Sequence, residues 1–191
     1  MPLSEERLPL PSPGAMTEAQ RVAANDLIAS PRKGVKGPFI PLLRSPELMT
    51  KLQKVGEYLR FHSSLAPRIS EFATLCVARS WSQQFEWVVH VPLALKAGTS
   101  RETIDAIHEG RRPTSMPLAE AAVYDFIAEL LTTKGVAQAT YDAVMGELGD
   151  QGLIDLVGLV GYFTSMCMVL NVAHTQPESG NDVDLLPSLP R

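Results

Sequence analysis

The sequence predicts an all-α fold, and three observations carry that prediction. No segment shows the apolar–polar alternation with hairpin turns that strands require. Capped helix starts recur, at Thr17–Gln20, Ser45–Glu47 and Thr99–Glu102. Glycine or proline punctuates the segments between them, at Pro31, Gly98, Gly110, Gly135 and Gly149. Counted this way, the chain holds about eight helices.

With 191 residues the chain is long enough for one core flanked by arms. The expected division is an extended arm over residues 1–16, a helical domain over 17–174 and an extended tail over 175–191. Four prolines fall within Met1–Ala15, which also lacks the apolar run of a secretory signal. A cytoplasmic protein is expected.

A helix should run from the Thr17 cap to Ala29, where Pro31 stops it. The loop Arg32–Arg44 carries Phe39, Ile40, Leu42 and Leu43, too apolar for solvent, so it should pack, over the site proposed below. Ser45-Pro46-Glu47 opens a helix to about Phe61–Ser63, with Leu48, Leu52, Val55 and Leu59 as its inward stripe. Pro67 opens the next, with Ile69, Phe72, Ala73 and Cys76 inward. Ser82 is the expected cap of the helix that follows, and Pro92 should kink or restart it. A box at Thr99–Glu102 starts a short helix to Glu109. Ser115-Met116-Pro117 opens a helix to Thr133, with Leu118, Ala122, Phe126 and Leu130 inward. Another spans Ala137–Leu148, with Tyr141, Val144 and Leu148 inward. Asp150 should cap the last helix.

That last segment, Leu153–Val172, approaches the length of a membrane span. It nevertheless contains Asp155, Thr164, Ser165 and Asn171, and no Lys or Arg flanks it. A helix buried in a bundle or oligomer is the expectation, with no membrane partner. Net charge is −4 with no basic stripe, which argues against nucleic acid. Cys76 and Cys167 lack metal-ligand spacing and sit in apolar runs, so both read as reduced core thiols. No metal site is expected.

Chemistry concentrates in Glu71–His90. Gln83, Glu86 and His90 stand at i, i+3 and i+7, one face of a helix, among Trp81, Phe85 and Trp87. Glu71 lies on the preceding helix. Two carboxylates around an imidazole suit acid–base chemistry near neutral pH. The plainer alternative pairs Glu71 with Arg68 and Glu86 with Arg79, and makes His90 a hydrogen-bonded core residue.

On these residues the chain resembles the carboxymuconolactone decarboxylase family, within the alkylhydroperoxidase D-like superfamily, over roughly Glu47–Asn171. Arg68-Ile-Ser-Glu71 is similar to the family's Arg-x-x-Glu helix start. His90-Val-Pro-Leu-Ala-Leu-Lys-Ala-Gly98 is similar to its His-x-x-x-Ala-x-x-x-Gly run. The peroxidase branch carries Glu-x11-Cys-x2-Cys-x3-His; here Glu71, Gln83, Glu86 and His90 occupy those places. The resemblance implies a helical bundle that assembles as trimers or hexamers and uses no cofactor. Both motif cysteines are missing, which disfavours an antioxidant thiol peroxidase, since neither amide nor carboxylate attacks or resolves a peroxide.

What the resemblance then implies is a decarboxylase-like lyase or isomerase acting on a small organic acid or lactone. His90 would be the general acid/base, Glu71 its orienting partner and Glu86 a second carboxylate. Gln83 would donate to a developing oxyanion, Arg79 would clamp a substrate carboxylate, and Trp81, Phe85 and Trp87 would wall the pocket. The competing reading is a non-enzymatic oligomeric helical protein that keeps the fold without the chemistry. A pocket at His90 favours the first reading and a filled, dry cluster favours the second.

Overall fold

The computed structural model describes residues 5–177 and 182–187. Among them are eight α-helices and no strand. They are α1 Glu18–Ala29, α2 Phe39–Leu42, α3 Pro46–Phe61, α4 Pro67–Ser80, α5 Gln84–Ala97, α6 Arg101–Glu109, α7 Leu118–Thr133 and α8 Gln138–Ala173. The expected arm residues 1–4 and tail residues 178–181 and 188–191 lie outside the described residues.

α4 is the central element. It packs against α5, α6, α7 and α8, and its residues from Phe72 to Ala78 are all buried. A helix buried on every side needs an apolar circumference, and Phe72, Ala73, Leu75, Cys76, Val77 and Ala78 supply it. The short α4–α5 connection turns the chain back on itself. The early turns of α4 therefore face the later turns of α5, which positions the site.

α8 is long and apolar enough to cross a membrane by length and composition alone. In this fold its Leu156, Leu159, Phe163, Met166, Cys167 and Leu170 are buried, packed among α2, α3, α4 and α7. The two helices expected on either side of Gly149 run together here. Gly149 marks the join, with φ 69° and ψ −178°, a conformation open to glycine and strained for other residues. Asp155, the acid inside the apolar run, accepts from the Tyr58 hydroxyl and from the Ser64 amide and hydroxyl, at 2.8–3.0 Å.

Several local expectations need correction. On α3, Leu59 is buried as expected, but Leu48 and Val55 are about half exposed, and Met49 and Gly56 face inward in their place. Here tertiary contact overrides the apolar stripe: Gly56 is where Tyr162 and Arg32 approach the helix. Leu118 is exposed at the start of α7, and Tyr141 is exposed on α8. α6 is capped one residue later than expected, by Ser100. α5 continues through Pro92 as one helix.

The described arm residues contact their own chain. Arg7 donates through its backbone amide to the Ala173 carbonyl at 2.8 Å, and Arg44 holds the Leu8 and Pro9 carbonyls. The tail is pinned by α5. Gln84 exchanges two hydrogen bonds with the Leu186 backbone, and the Trp87 indole donates to the Asp184 carbonyl at 3.0 Å.

Candidate active site

The structure brings Glu71, Glu86 and His90 together. Pro67 starts α4 and puts Glu71 in its second turn. Glu86 and His90 are one turn apart on α5, so their side chains share a face. Glu71 Oε2 lies 2.5 Å from His90 Nδ1, and Glu86 Oε2 lies 3.3 Å from His90 Nε2. His90 and Glu86 are buried, while Glu71 keeps a little exposure. The edge-on ring of Phe163, 5.1 Å away at 87°, fixes the imidazole from the α8 side.

Burial by itself would push the His90 pKa down. Its bonds to Glu71 and Glu86, and their negative charge, outweigh that and raise it above the ordinary histidine value. Burial likewise opposes ionisation of Glu71, yet the bond to His90 and the nearby charges of His90 and Arg60 hold its pKa below the usual carboxylate value. Both shifts run in the direction that favours the charged pair, an imidazolium beside a carboxylate.

The plainer pairings do not form. Arg68 bonds Glu120 of α7 at 2.6 Å. Arg79 donates through Nε to the His108 carbonyl at 2.9 Å. Neither neutralises a site carboxylate.

The cluster borders a cavity of about 370 Å³, lined by Glu86, His90, Phe85, Val88, Val89 and Pro92 of α5, by Tyr162, Phe163 and Met166 of α8, and by the loop before α2. That loop covers the site as its apolar residues predicted: Gly34, Lys36, Pro38 and Phe39 all line the cavity.

Of the three aromatic residues around the motif expected to wall the pocket, Phe85 does so, but the other expected substrate contacts lie elsewhere. Gln83 precedes the first helical residue of α5, and its side-chain oxygen accepts from the Phe85 and Glu86 amides. Its nitrogen donates to Asn171 at 3.1 Å. It is the helix cap, the role expected of Ser82, which instead turns the chain with φ 43°. Trp87 is fully buried and faces the tail and His108. Trp81 is tied to α8 by its carbonyl, which accepts from Asn171. Arg79 lines a separate cavity with Cys76 and Tyr124. None of these four borders the His90 cavity.

Three residues that sequence reasoning passed over do border it: Arg32 from the loop after α1, Arg60 from the last turn of α3, and Tyr162 of α8. Arg60 looked like an ordinary basic residue at a helix C-terminus, and Tyr162 was hidden in the apolar run. The only signal for Arg32 was its place in a loop too apolar for solvent. Among the described residues, no group of three or more His, Cys, Asp or Glu side chains has metal-holding geometry. Burial raises both thiols above the ordinary value, assisted at Cys76 by the charge of Glu120 and at Cys167 by that of Glu86.

An all-helical bundle with a histidine clamped between carboxylates from two antiparallel helices defines a class of site. The carboxymuconolactone decarboxylase family model matches residues 46–139, which hold all three clustered side chains. That match, over just under half of the chain, supports a place in the carboxymuconolactone decarboxylase/AhpD-like superfamily. Among solved structures it is similar to an uncharacterized peroxidase-related protein with an alkylhydroperoxidase AhpD core from Ralstonia eutropha JMP134, with TM-score 0.75, 15% identity and 94% of each chain covered. It is also similar to an uncharacterized peroxidase-related protein from Silicibacter sp. TM1040, with TM-score 0.71, 11% identity and 94% of each chain covered. A protein of unknown function from Agrobacterium tumefaciens matches at TM-score 0.66 and 14% identity, covering 76% of this chain and all of that one. At such identities the likeness is one of fold. No curated protein matches the chain.

Proposed function

We propose that the protein is a cofactor-independent lyase or isomerase that acts on a small organic acid or lactone by proton transfer through His90. One observation carries this reading: an imidazole held between Glu71 and Glu86 at the wall of a cavity of substrate size. Glu71 fixes the ring through Nδ1 and stabilises its charged form. Nε2, shared with Glu86, is the proton-transfer atom. In the decarboxylase form of the reaction, the carbon–carbon bond to the departing carboxylate breaks and its electron pair enters the conjugated carbonyl as a dienolate. Carbon dioxide leaves, and the imidazolium returns a proton to carbon. In the isomerase form no bond to carboxylate breaks, and the proton leaves one carbon and enters another.

The test is turnover and deuterium wash-in from heavy water with a panel of unsaturated acids and lactones. Incorporation at carbon by wild type, abolished by His90→Gln, supports the reading. Absence of both turnover and exchange across the panel rejects it. Thiol peroxidase activity is not expected, because amide and carboxylate side chains stand at the motif positions and burial holds both thiols protonated. Dithiol-dependent peroxide turnover abolished by Cys76→Ser would overturn that.

We further propose a homo-oligomer of this cytoplasmic protein. α8 exposes Ile154, Val157, Met168 and Val172, an apolar face that self-association would cover. Light scattering that shows a monomer at micromolar concentration would reject this.

A further inference from the structure

The cavity at His90 is lined by two chemically different groups. One is the His90–Glu86 pair. The other is Arg32, Arg60 and Tyr162, from three separate elements. Arg32 Nη2 donates to the Tyr162 hydroxyl at 3.3 Å, and its guanidinium stacks on the Phe39 ring, 4.6 Å from the centroid. Arg60 stacks on Phe61 at 5.2 Å. Stacking orients a guanidinium and leaves its in-plane N–H groups to a ligand. In both arginines Nε is buried with no hydrogen-bond partner among the described residues. No ion pair joins either one to a carboxylate among those residues, whereas Arg68 and Arg112 both have such partners. Two guanidinium side chains that line one cavity and have no carboxylate partner among the described residues fit an anion supplied from outside the chain.

The fold makes room for this arrangement. A Cβ at position 56 of α3 would come within 2.2 Å of the Tyr162 hydroxyl and 2.6 Å of Arg32 Nη2. Only glycine lets those two groups meet against α3. Burial also presses on the Arg32 charge, and neighbouring Arg60 adds repulsion that Tyr162, Glu86 and Glu57 only partly offset. An anion would relieve both.

We propose that Arg32 and Arg60, with Tyr162, form a carboxylate-recognition subsite, and that the ligand is a small monocarboxylic acid with an unsaturated or aromatic body. The planar fork of a guanidinium matches a carboxylate. The rest of the wall, Phe85, Val88, Phe163 and Met166, is apolar and suits such a body. Arg32 and Arg60 have no ion-pair partner among the described residues, so a single ligand carboxylate would supply the anion they lack. This inference names the substrate class for the reading above and rests on the same cavity, yet it is tested by binding alone.

The experiment titrates the intact protein with benzoate, cinnamate and sorbate, each beside its neutral amide, by calorimetry or ligand-observed NMR. At least one acid should bind more tightly than its amide by about tenfold or more, the scale of a charge-assisted bond. Arg32→Gln and Arg60→Gln should each erase that preference, while Arg32→Lys should restore part of it. Melting curves of each variant establish that it is folded. Equal binding of acid and amide, no acid binding at millimolar concentration, or a preference that survives both glutamine variants would overturn the proposal. A wild type that prefers acids but turns none of them over leaves this subsite standing while the catalytic reading falls.

Discussion

Two of the protein's cavities are similar in size and differ in what their cations are doing. One holds about 370 Å³ beside His90, and the other about 310 Å³ beside Cys76. Both are lined by an arginine, a tyrosine and apolar side chains. In the second, Arg79 already donates through Nε to the His108 carbonyl, and its Nη1 sits near Ser82. In the first, the corresponding nitrogens of Arg32 and Arg60 are buried and unspent. The acids differ in the same way. Beside His90, two carboxylates bracket an imidazole and raise its pKa. Beside Cys76, burial and the charge of Glu120 hold the thiol protonated and inert.

The largest expected effect is that of His90→Gln. Removal of a general acid/base should lower turnover of any accepted acid by about 10²–10⁴-fold. The same change leaves Glu71 and Glu86 without their shared cation, so it should cost about 1–3 kcal/mol of stability as well. Steady-state rates and denaturant titrations measure the two together. A stability loss with turnover intact would make His90 a core residue and return the first cavity to the level of the second.

The pH dependence sharpens the contrast. The His90 pKa is raised in the fold, so its stabilisation is complete below the ordinary histidine value, about 6.5, and is lost as pH rises through the raised value. The Glu71 pKa is lowered, so its stabilisation is present above the ordinary value, about 4.5, and is lost as pH falls through the lowered value. The pair should therefore stabilise most between those two ordinary values, with an alkaline limb of up to about 1.4 kcal/mol per pH unit. His90→Gln should remove the alkaline limb. Denaturation midpoints across pH that fall in parallel for both proteins would show that the limb belongs to other groups. Cys76→Ser should leave the limb in place.

The sequence reveals this site unevenly, for physical reasons. Glu86 and His90 were legible because both lie within one regular helix, where spacing dictates facing. Glu71 was legible because a short connection forces α4 and α5 antiparallel. Gln83 fits the motif spacing equally well, but it stands one residue before the helix begins, where an amide side chain folds back on the first free N–H groups. Arg79 lies near the motif in sequence, yet it sits on the far side of α4. Arg32, Arg60 and Tyr162 come from a loop, a helix end and an apolar helix, and only tertiary packing unites them. Seven of the eight helices were legible from their caps and breaks, with α8 expected as two helices meeting at Gly149, while α2 fell in the stretch expected to be a loop. The inward faces of α3 and of the start of α7 were not, because a stripe of leucines does not say which neighbour is present to cover it.

Gly56→Ala attacks the arginine–tyrosine group of the first cavity without removing any charge. The added methyl would overlap the Tyr162 hydroxyl and Arg32 Nη2, so both must move. Overpacking of this kind costs about 1–3 kcal/mol. The preference for benzoate over benzamide should shrink along with it. A variant with unchanged stability and unchanged acid preference would show that the glycine does not hold the pair in place.

Arg79→Gln is the smallest expected change and the cleanest control on the comparison. Arg79 is half-buried and donates to the His108 carbonyl and the Ser82 hydroxyl. Loss of the stronger bond should cost about 1 kcal/mol of stability, the net worth of one such bond. The carbonyl left behind sits at the end of α6, where Gly110 turns the chain with φ 78°, close to solvent that can replace the donor. Acid binding should stay within about twofold of wild type, because the spent guanidinium offers nothing to a ligand and faces the other cavity. The measurement is the same benzoate titration used for Arg32→Gln. If Arg79→Gln weakens benzoate as much as Arg32→Gln does, unspent donors are not what separates the two cavities, and the carboxylate belongs beside Cys76.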